Sequence, residues 1–328
     1  MSDIDRVLRS NLKLKHLQLI VALDEFRHLG RSAEFLSLTQ PAVSKSLAEI
    51  ERMFGLTLFQ RSTRGTVPTA LGQKVVRFAR SALADFARTC EDIETIRSGG
   101  ADRIRVGAMV VATPGLLFDA VCQLKQASPR TTVAVEEGDL SRLLPRLRVG
   151  ELDFIVGRLE PGYASPDLDT EALYAEPMRL VVAPDHPLAQ ARQVSWQQLA
   201  DRPWVVPPAW ASSRLKLTQL FYQQRIEPPD HLVETASYLV TTTFLRQPGC
   251  VAMVAQDVAQ HLQSLGQARM LRIDLPMELP PVGVIQLRGA LRTPACDRLL
   301  DHLRERARHR QPARRRKAGA AAPLSPRR

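Results

Sequence analysis

The chain has 328 residues, is 45% hydrophobic and carries a formal net charge of +11. That length exceeds the usual single domain and predicts two or three. No run approaches the roughly 20 apolar residues that span a bilayer, so a helical membrane protein is excluded. The start, "MSDIDRVLRSNLK", has no apolar core of a secretory leader, and a cytoplasmic chain is expected. Cys90, Cys122, Cys250 and Cys296 lie far apart with no C-x-x-C pair for metal or redox work, as suits buried thiols in a reducing compartment.

The charge is unevenly placed. From Arg306 to Arg328 there are nine Lys or Arg and no acid, so the high isoelectric point is mostly a tail effect. The segment from about 309 to 328 cannot bury apolar surface and is expected to be disordered. More informative is the run from 52 to 84, which holds Arg52, Arg61, Arg64, Lys74, Arg77 and Arg80 with no Asp or Glu. Such asymmetry suits a surface that faces phosphates.

Residues 14–26, "LKHLQLIVALDEF", read as an amphipathic helix, and "GRSAEFLSL" as a second, short one. In "TQPAVSKSLAEIERMFG" the apolar Val43, Leu47, Ile50 and Phe54 fall on one helical stripe, while Ser44, Lys45, Ser46 and Ala48 keep the other face small and free of acid. Pro41 sits in the first turn, where its missing N–H costs nothing, and Gly55 closes the helix. "LTLFQRSTRGTVPTALG" carries Arg61, Arg64 and Gly65 at the tip of an otherwise strand-like segment, a hairpin or wing. Residues 69–97 form a long helix in which Val75, Ala79, Ala82, Phe86, Thr89, Ile93 and Ile96 alternate at spacings of four and three, a heptad seam for self-association. "SGGAD" at 98–102 reads as a hinge.

From residue 103 strands alternate with helices. "RIRVGAMVV", a helix at 114–127, "TTVAVEEG", a helix at 140–149 and "LDFIVGRL" form a first set. "MRLVVAP", "PWVVPP", a helix at 213–225, "HLVETAS" and "GCVAMVA" form a second, and "PVGVIQLRG" with a helix at 294–308 returns to the first. The alternation predicts parallel sheets with right-handed crossovers. The expected partition is a winged helix-turn-helix over 1–68, a dimerisation helix over 69–97 and an α/β domain over 103–308. Within that domain, lobe I takes about 103–172 and 277–308, and lobe II about 173–276.

Helix, helix and basic-tipped hairpin make a winged helix-turn-helix layout, in which the N-terminal end of the recognition helix approaches base edges in the major groove. Thr39, Gln40, Pro41, Ser44 and Lys45 occupy that end and face; Gln pairs bidentately with adenine, and Lys reaches phosphate or guanine. Arg61 and Arg64 suit the minor groove or its phosphates, and Arg31 a backbone phosphate.

The string "LKHLQLIVALDE…LGRSAEFLSLTQPAVSKSLAEIERMFGLTLFQRSTRGTVPTALG" resembles the DNA-binding domain of LysR-type transcriptional regulators. "IRVGAMVV", "LRVGELDFIVG" and "VVAPDHPLA" are similar to the family's effector domain, and the resemblance covers about residues 14–305. The wording is similar to the branch that contains galactose-binding-protein regulators and protocatechuate-pathway activators. Ser32 stands where the family usually has an alanine. The resemblance implies a winged helix-turn-helix joined to a two-lobed α/β domain like periplasmic binding proteins. It also implies a small-molecule effector between the lobes, homodimers through the long helix that pair into homotetramers, and binding to double-stranded promoter DNA. RNA polymerase is a candidate further partner.

In open α/β sheets ligands sit beyond the carboxyl ends of strands. Here these ends place Met109, Val110 and Thr113, then Gly138, Arg158, Pro207, Pro208 and Ser213, at the effector pocket. Thr113 and Ser213 are expected to open helices whose free N–H groups favour an anion, and Arg158 to grip a carboxylate or phosphate. An anionic metabolite, such as an aromatic acid or a sugar derivative, is therefore expected. The family often has Ser or Thr at the position of Met109, so a more apolar floor is expected. Trp204 reads as core, and Trp210, after the double proline, as a weaker pocket candidate.

No catalytic constellation emerges: G-x-S-x-G, H-E-x-x-H, a P-loop and G-x-G-x-x-G are absent from the sequence. His186 reads as a turn residue, and His16 and His28 lack metal-ligand spacing. No enzyme activity and no cofactor are expected. The competing reading is a solute-binding or enzymatic α/β protein whose N-terminal helices only dimerise it; the acid-free wing argues for DNA.

Overall fold

The computed structural model describes residues 12–62, 65–97, 102–290 and 292–310. The chain divides into two compact units near residue 100.

The N-terminal unit begins with α1 (Leu14–Phe26), α2 (Leu29–Phe35) and α3 (Gln40–Phe54). A hairpin of β1 (Phe59–Ser62) and β2 (Gly65–Pro68) leads into α4 (Ala70–Arg97). Local chemistry sets these boundaries. The Thr39 hydroxyl accepts from Ala42 N–H at the start of α3, with a proline in the first turn, and Gly55 ends it at φ 67°. His28 caps α2, its Nδ1 accepting from Gly30 N–H at 3.1 Å.

The core gathers Leu17, Ile20 and Leu23 of α1 with Val43, Leu47 and Ile50 of α3 and Leu58 before the hairpin. Each such side chain contributes roughly 1.5–3 kcal/mol by leaving water. Ala79 belongs to this core, fully buried, and Val75 and Ala82 pack against it. This corrects the expected seam: the first turns of α4 cover their own domain, because α1 needs an apolar partner there. Phe86 and Ile93 stay half exposed.

Among the described residues, the C-terminal unit holds two five-stranded sheets. Lobe I orders its strands β4-β3-β5-β12-β6, with β3 (Arg103–Ala108), β4 (Thr132–Glu137), β5 (Phe154–Arg158), β6 (Leu168–Tyr174) and β12 (Val282–Leu287). Lobe II orders β11-β7-β10-β8-β9, with β7 (Met178–Val182), β8 (Trp204–Val206), β9 (Leu232–Glu234), β10 (Val251–Ala255) and β11 (Arg269–Met270). The sheets are mixed, not wholly parallel as expected. β3 pairs parallel with β4 and β5, and β8 with β9 and β10, whereas β12 and β7 run antiparallel to their neighbours. Antiparallel strands arise where the chain crosses between lobes, directly from β6 into β7 and from β11 towards β12, with no helix in between.

The helices of this unit are α5 (Phe118–Ala127), α6 (Leu140–Arg148), α7 (Ser212–Gln223), α8 (Tyr238–Phe244), α9 (Gln256–Ser264) and α10 (Pro294–Arg310). The segment expected to start α5 is a five-residue π-turn, Thr113–Leu117, containing Pro114. Arg64, residues 98–101 of the expected hinge and the tail beyond 310 lie outside the described residues.

Candidate DNA-binding face and effector cleft

In the N-terminal unit Thr39, Gln40, Pro41 and Lys45 are exposed at the start of α3, and Ser44 is half-buried beside them. Arg31 is exposed in α2. Ser32, with a fully buried side chain, donates to the carbonyls of Ala22 and His28 at 3.2 and 3.0 Å, so its hydroxyl ties α2 to α1. The hairpin holds Arg61 opposite Thr66. Glu51, which sequence reasoning missed, accepts from Leu58 and Phe59 N–H at 2.8 and 3.1 Å and fixes the hairpin against α3. Gly65 (φ 127°) lets the hairpin approach α1: Thr66 N–H donates to the Arg27 carbonyl, which a Cβ at 65 would meet at 2.5 Å. Arg80, within the acid-free run, pairs with Asp24 of α1 at 3.0 Å, because the missing acid lies elsewhere in the sequence.

Between lobes I and II lies a cleft with a cavity of about 110 Å³. Met109, Val110, Arg158, Pro207, Pro208 and Ser213 are among the residues that line it. Met109 forms an apolar floor by folding across Gly157, where a Cβ would stand 2.5 Å from its Sδ. Met178, Met253 and Trp210 add further apolar wall. Trp204 is core, buried with its Nε1–H donated to Leu199 O, and His186 caps a turn by accepting from Leu188 N–H.

Two expected residues stand outside the cleft lining. The Thr113 hydroxyl donates to Met109 O at 3.2 Å and opens only the short π-turn. Gly138 N–H donates to Ala108 O, and its neighbour Asp139 caps α6. Both serve strand-to-helix junctions.

The anion-binding groups also have partners within the chain. At the start of α7, Ser212 N–H and hydroxyl donate to the Glu160 carboxylate at 3.3 and 3.1 Å. Glu160 belongs to lobe I, so the contact spans the cleft. Arg158, 4% exposed, donates to Pro280 O at 2.6 Å and Glu176 O at 2.9 Å. Burial lowers its pKa, an effect opposed by the nearby carboxylates of Glu160 and Glu176. Glu160 and Glu176 carried no local signal in the sequence, since their roles depend on pairs 52 and 81 residues away.

Among the described residues there is no group of acidic, His or Cys side chains that could hold a metal, and no helix long and apolar enough to cross a membrane. Residues 14–73 match the profile of the bacterial regulatory helix-turn-helix protein, lysR family, and residues 97–308 that of the LysR substrate binding domain. The chain belongs to the LysR family.

This LysR-family chain is similar to the HTH-type transcriptional regulator GbpR of Azospirillum brasilense, 30% identical over 300 residues, 90% of this chain and 87% of that protein. It is also similar to GalR of Pseudomonas putida, 28% identical over 291 residues, 89% of this chain and 73% of that protein. The crystal structure of CbnR, a LysR family transcriptional regulator, shares its fold at a TM-score of 0.66 and 17% identity, covering 90% of this chain and 99% of that one. The LysR-family chain is a DNA-binding transcriptional regulator with an effector-binding domain.

Proposed function

We propose that Gln40 and Lys45, with Thr39, Pro41 and Ser44, read promoter DNA in the major groove, while Arg61, Arg64 and Arg31 hold flanking backbone. The observation that carries this is the start of α3, exposed, small and free of acid, on a helix whose far end Glu51 ties to the hairpin. Gel shifts on the duplex upstream of the gene test it. Arg61→Ala with Arg64→Ala should bind more weakly and lose part of the salt dependence. Equal binding by the double variant removes the wing assignment.

The effector, in this reading, is a small metabolite with a ring body, an aromatic or sugar derivative, held between the lobes by Trp210 and the methionines. An anion was expected from Thr113, Ser213 and Arg158. Thr113 lies off the cleft lining, Glu160 already neutralises the start of α7, and Arg158 is bonded to two carbonyls. An uncharged derivative therefore fits better than an acid. Thermal melting with methyl galactoside, phenol and benzoate separates the classes: a neutral compound should raise the midpoint more than benzoate, and the reverse order restores the anionic class.

Self-association follows the exposed Phe86 and Ile93 of α4, giving dimers that pair into tetramers in the cytoplasm. In this reading residues 1–68, 69–97 and 103–308 are separate functional parts, a partition supported by the long helix Ala70–Arg97.

A further inference from the structure

The two crossovers between the lobes lie side by side. One runs through residues 175–177 between β6 and β7, and the other enters β12, whose Val282 pairs with Tyr174 at the end of β6. Both are rich in proline: Pro177 in the first, Pro280 and Pro281 in the second. Proline has no N–H and holds the preceding residue extended, so the ladder between the two strands cannot continue past Tyr174 and Val282. The carbonyls of Glu176 and Pro280 are thus left for other donors.

Arg158 supplies them. It ends β5, the strand next to β12, and its two terminal nitrogens divide between the crossovers, Nη1 to Pro280 O at 2.6 Å and Nη2 to Glu176 O at 2.9 Å. A planar fork of donors is the one side chain that spans two such acceptors rigidly. Burying a charge is expensive, and an apolar side chain of similar volume would fill this place more cheaply. A guanidinium kept here points to a directional role. Arg158 is also among the residues that line the cleft.

We propose that Arg158 is a positioning residue that clasps both crossovers and so sets the angle between the lobes and the width of the cleft. The proposal builds on the cleft reading above, because cleft width is what the clasp controls, yet it can be tested on the full chain with no effector present. Amide hydrogen exchange followed by mass spectrometry is the test. In Arg158→Met, amides within 174–179 and 277–283 should exchange about tenfold faster, the scale of a lost charged hydrogen bond. Those of β3 and β10 should be unchanged.

Arg158→Lys retains the charge but cannot reach both carbonyls, so at least one crossover should still exchange faster if the Met variant does not fold. Unchanged exchange at both crossovers, or an increase spread evenly over the strands of both lobes, overturns the proposal. Failure of every compound in the melting panel would count against the effector class alone, since the exchange experiment uses none.

Discussion

The carboxylate of Glu160, in lobe I, accepts from both the backbone N–H and the hydroxyl of Ser212, the first residue of α7 in lobe II, at 3.3 and 3.1 Å. The N-terminus of a helix carries roughly half a positive charge, so this is an anion held against a dipole across the cleft. Glu160→Ala should lower stability by about 1–2 kcal/mol, a drop of a few degrees in the melting midpoint. Glu160→Gln keeps an acceptor and should lose less. An alanine variant that melts with the wild type would show that the contact does not fasten the lobes.

Glu176 gives the domain a pH dependence. Burial raises its carboxyl pKa to about 7, and its Oε1 accepts from Asp257 N–H at the start of α9. With the folded value above the unfolded one, the protonated form favours folding. That stability is present in full below about pH 4.5 and is lost as pH rises through about 7, on the order of 3 kcal/mol in all. Glu176→Gln retains the acceptor and should flatten this part of the profile, stabilising the protein at pH 8. Denaturant titrations from pH 5 to 8 read the slope directly; identical slopes in the two proteins would assign it elsewhere.

Leu47 is 1% exposed in the core of the helix-turn-helix. Leu47→Ala should cost about 2–5 kcal/mol, against about 1 kcal/mol for Thr39→Ala, which removes only the cap. Chemical denaturation followed by circular dichroism would rank them, and a larger loss at Thr39 would contradict the packing described.

Phe86 and Ile93 are 51% and 52% exposed on α4. Replacing both with Ser should shift the protein towards monomer in sedimentation velocity, leaving the melting of the helix-turn-helix core little changed. A double variant that sediments like the wild type would move the dimer interface off this face.

The helix-turn-helix was legible because its signals are local. Thr39, Pro41 and Gly55 punctuate α3 within a few residues, and the stripe of Val43, Leu47 and Ile50 fixes which face is buried. The heptad on α4 was legible as a pattern but not as an assignment. A buried Ala79 looks the same in sequence whether it packs on α1 or on another copy. The cleft was half legible: strand ends located Met109 and Arg158 beside it, but the same rule also named Gly138, which instead bonds Ala108 O at a strand-to-helix junction off the lining. The partners of those residues were not. The contact from Glu160 to Ser212 and the clasp of Arg158 on Pro280 depend on residues 52 and 122 positions apart, which only the closed chain brings together.

The most direct test of the account is fluorescence anisotropy of the full-length protein with the upstream duplex and a scrambled duplex of equal length, across a range of salt. The wild type should prefer the upstream duplex by a thousandfold or more, on the order of that for specific regulators. Gln40→Ala should erode this preference, and Lys45→Ala should weaken binding. Equal affinity of the wild type for both duplexes, or no effect of either substitution, would contradict the assignment of α3 as the reading helix.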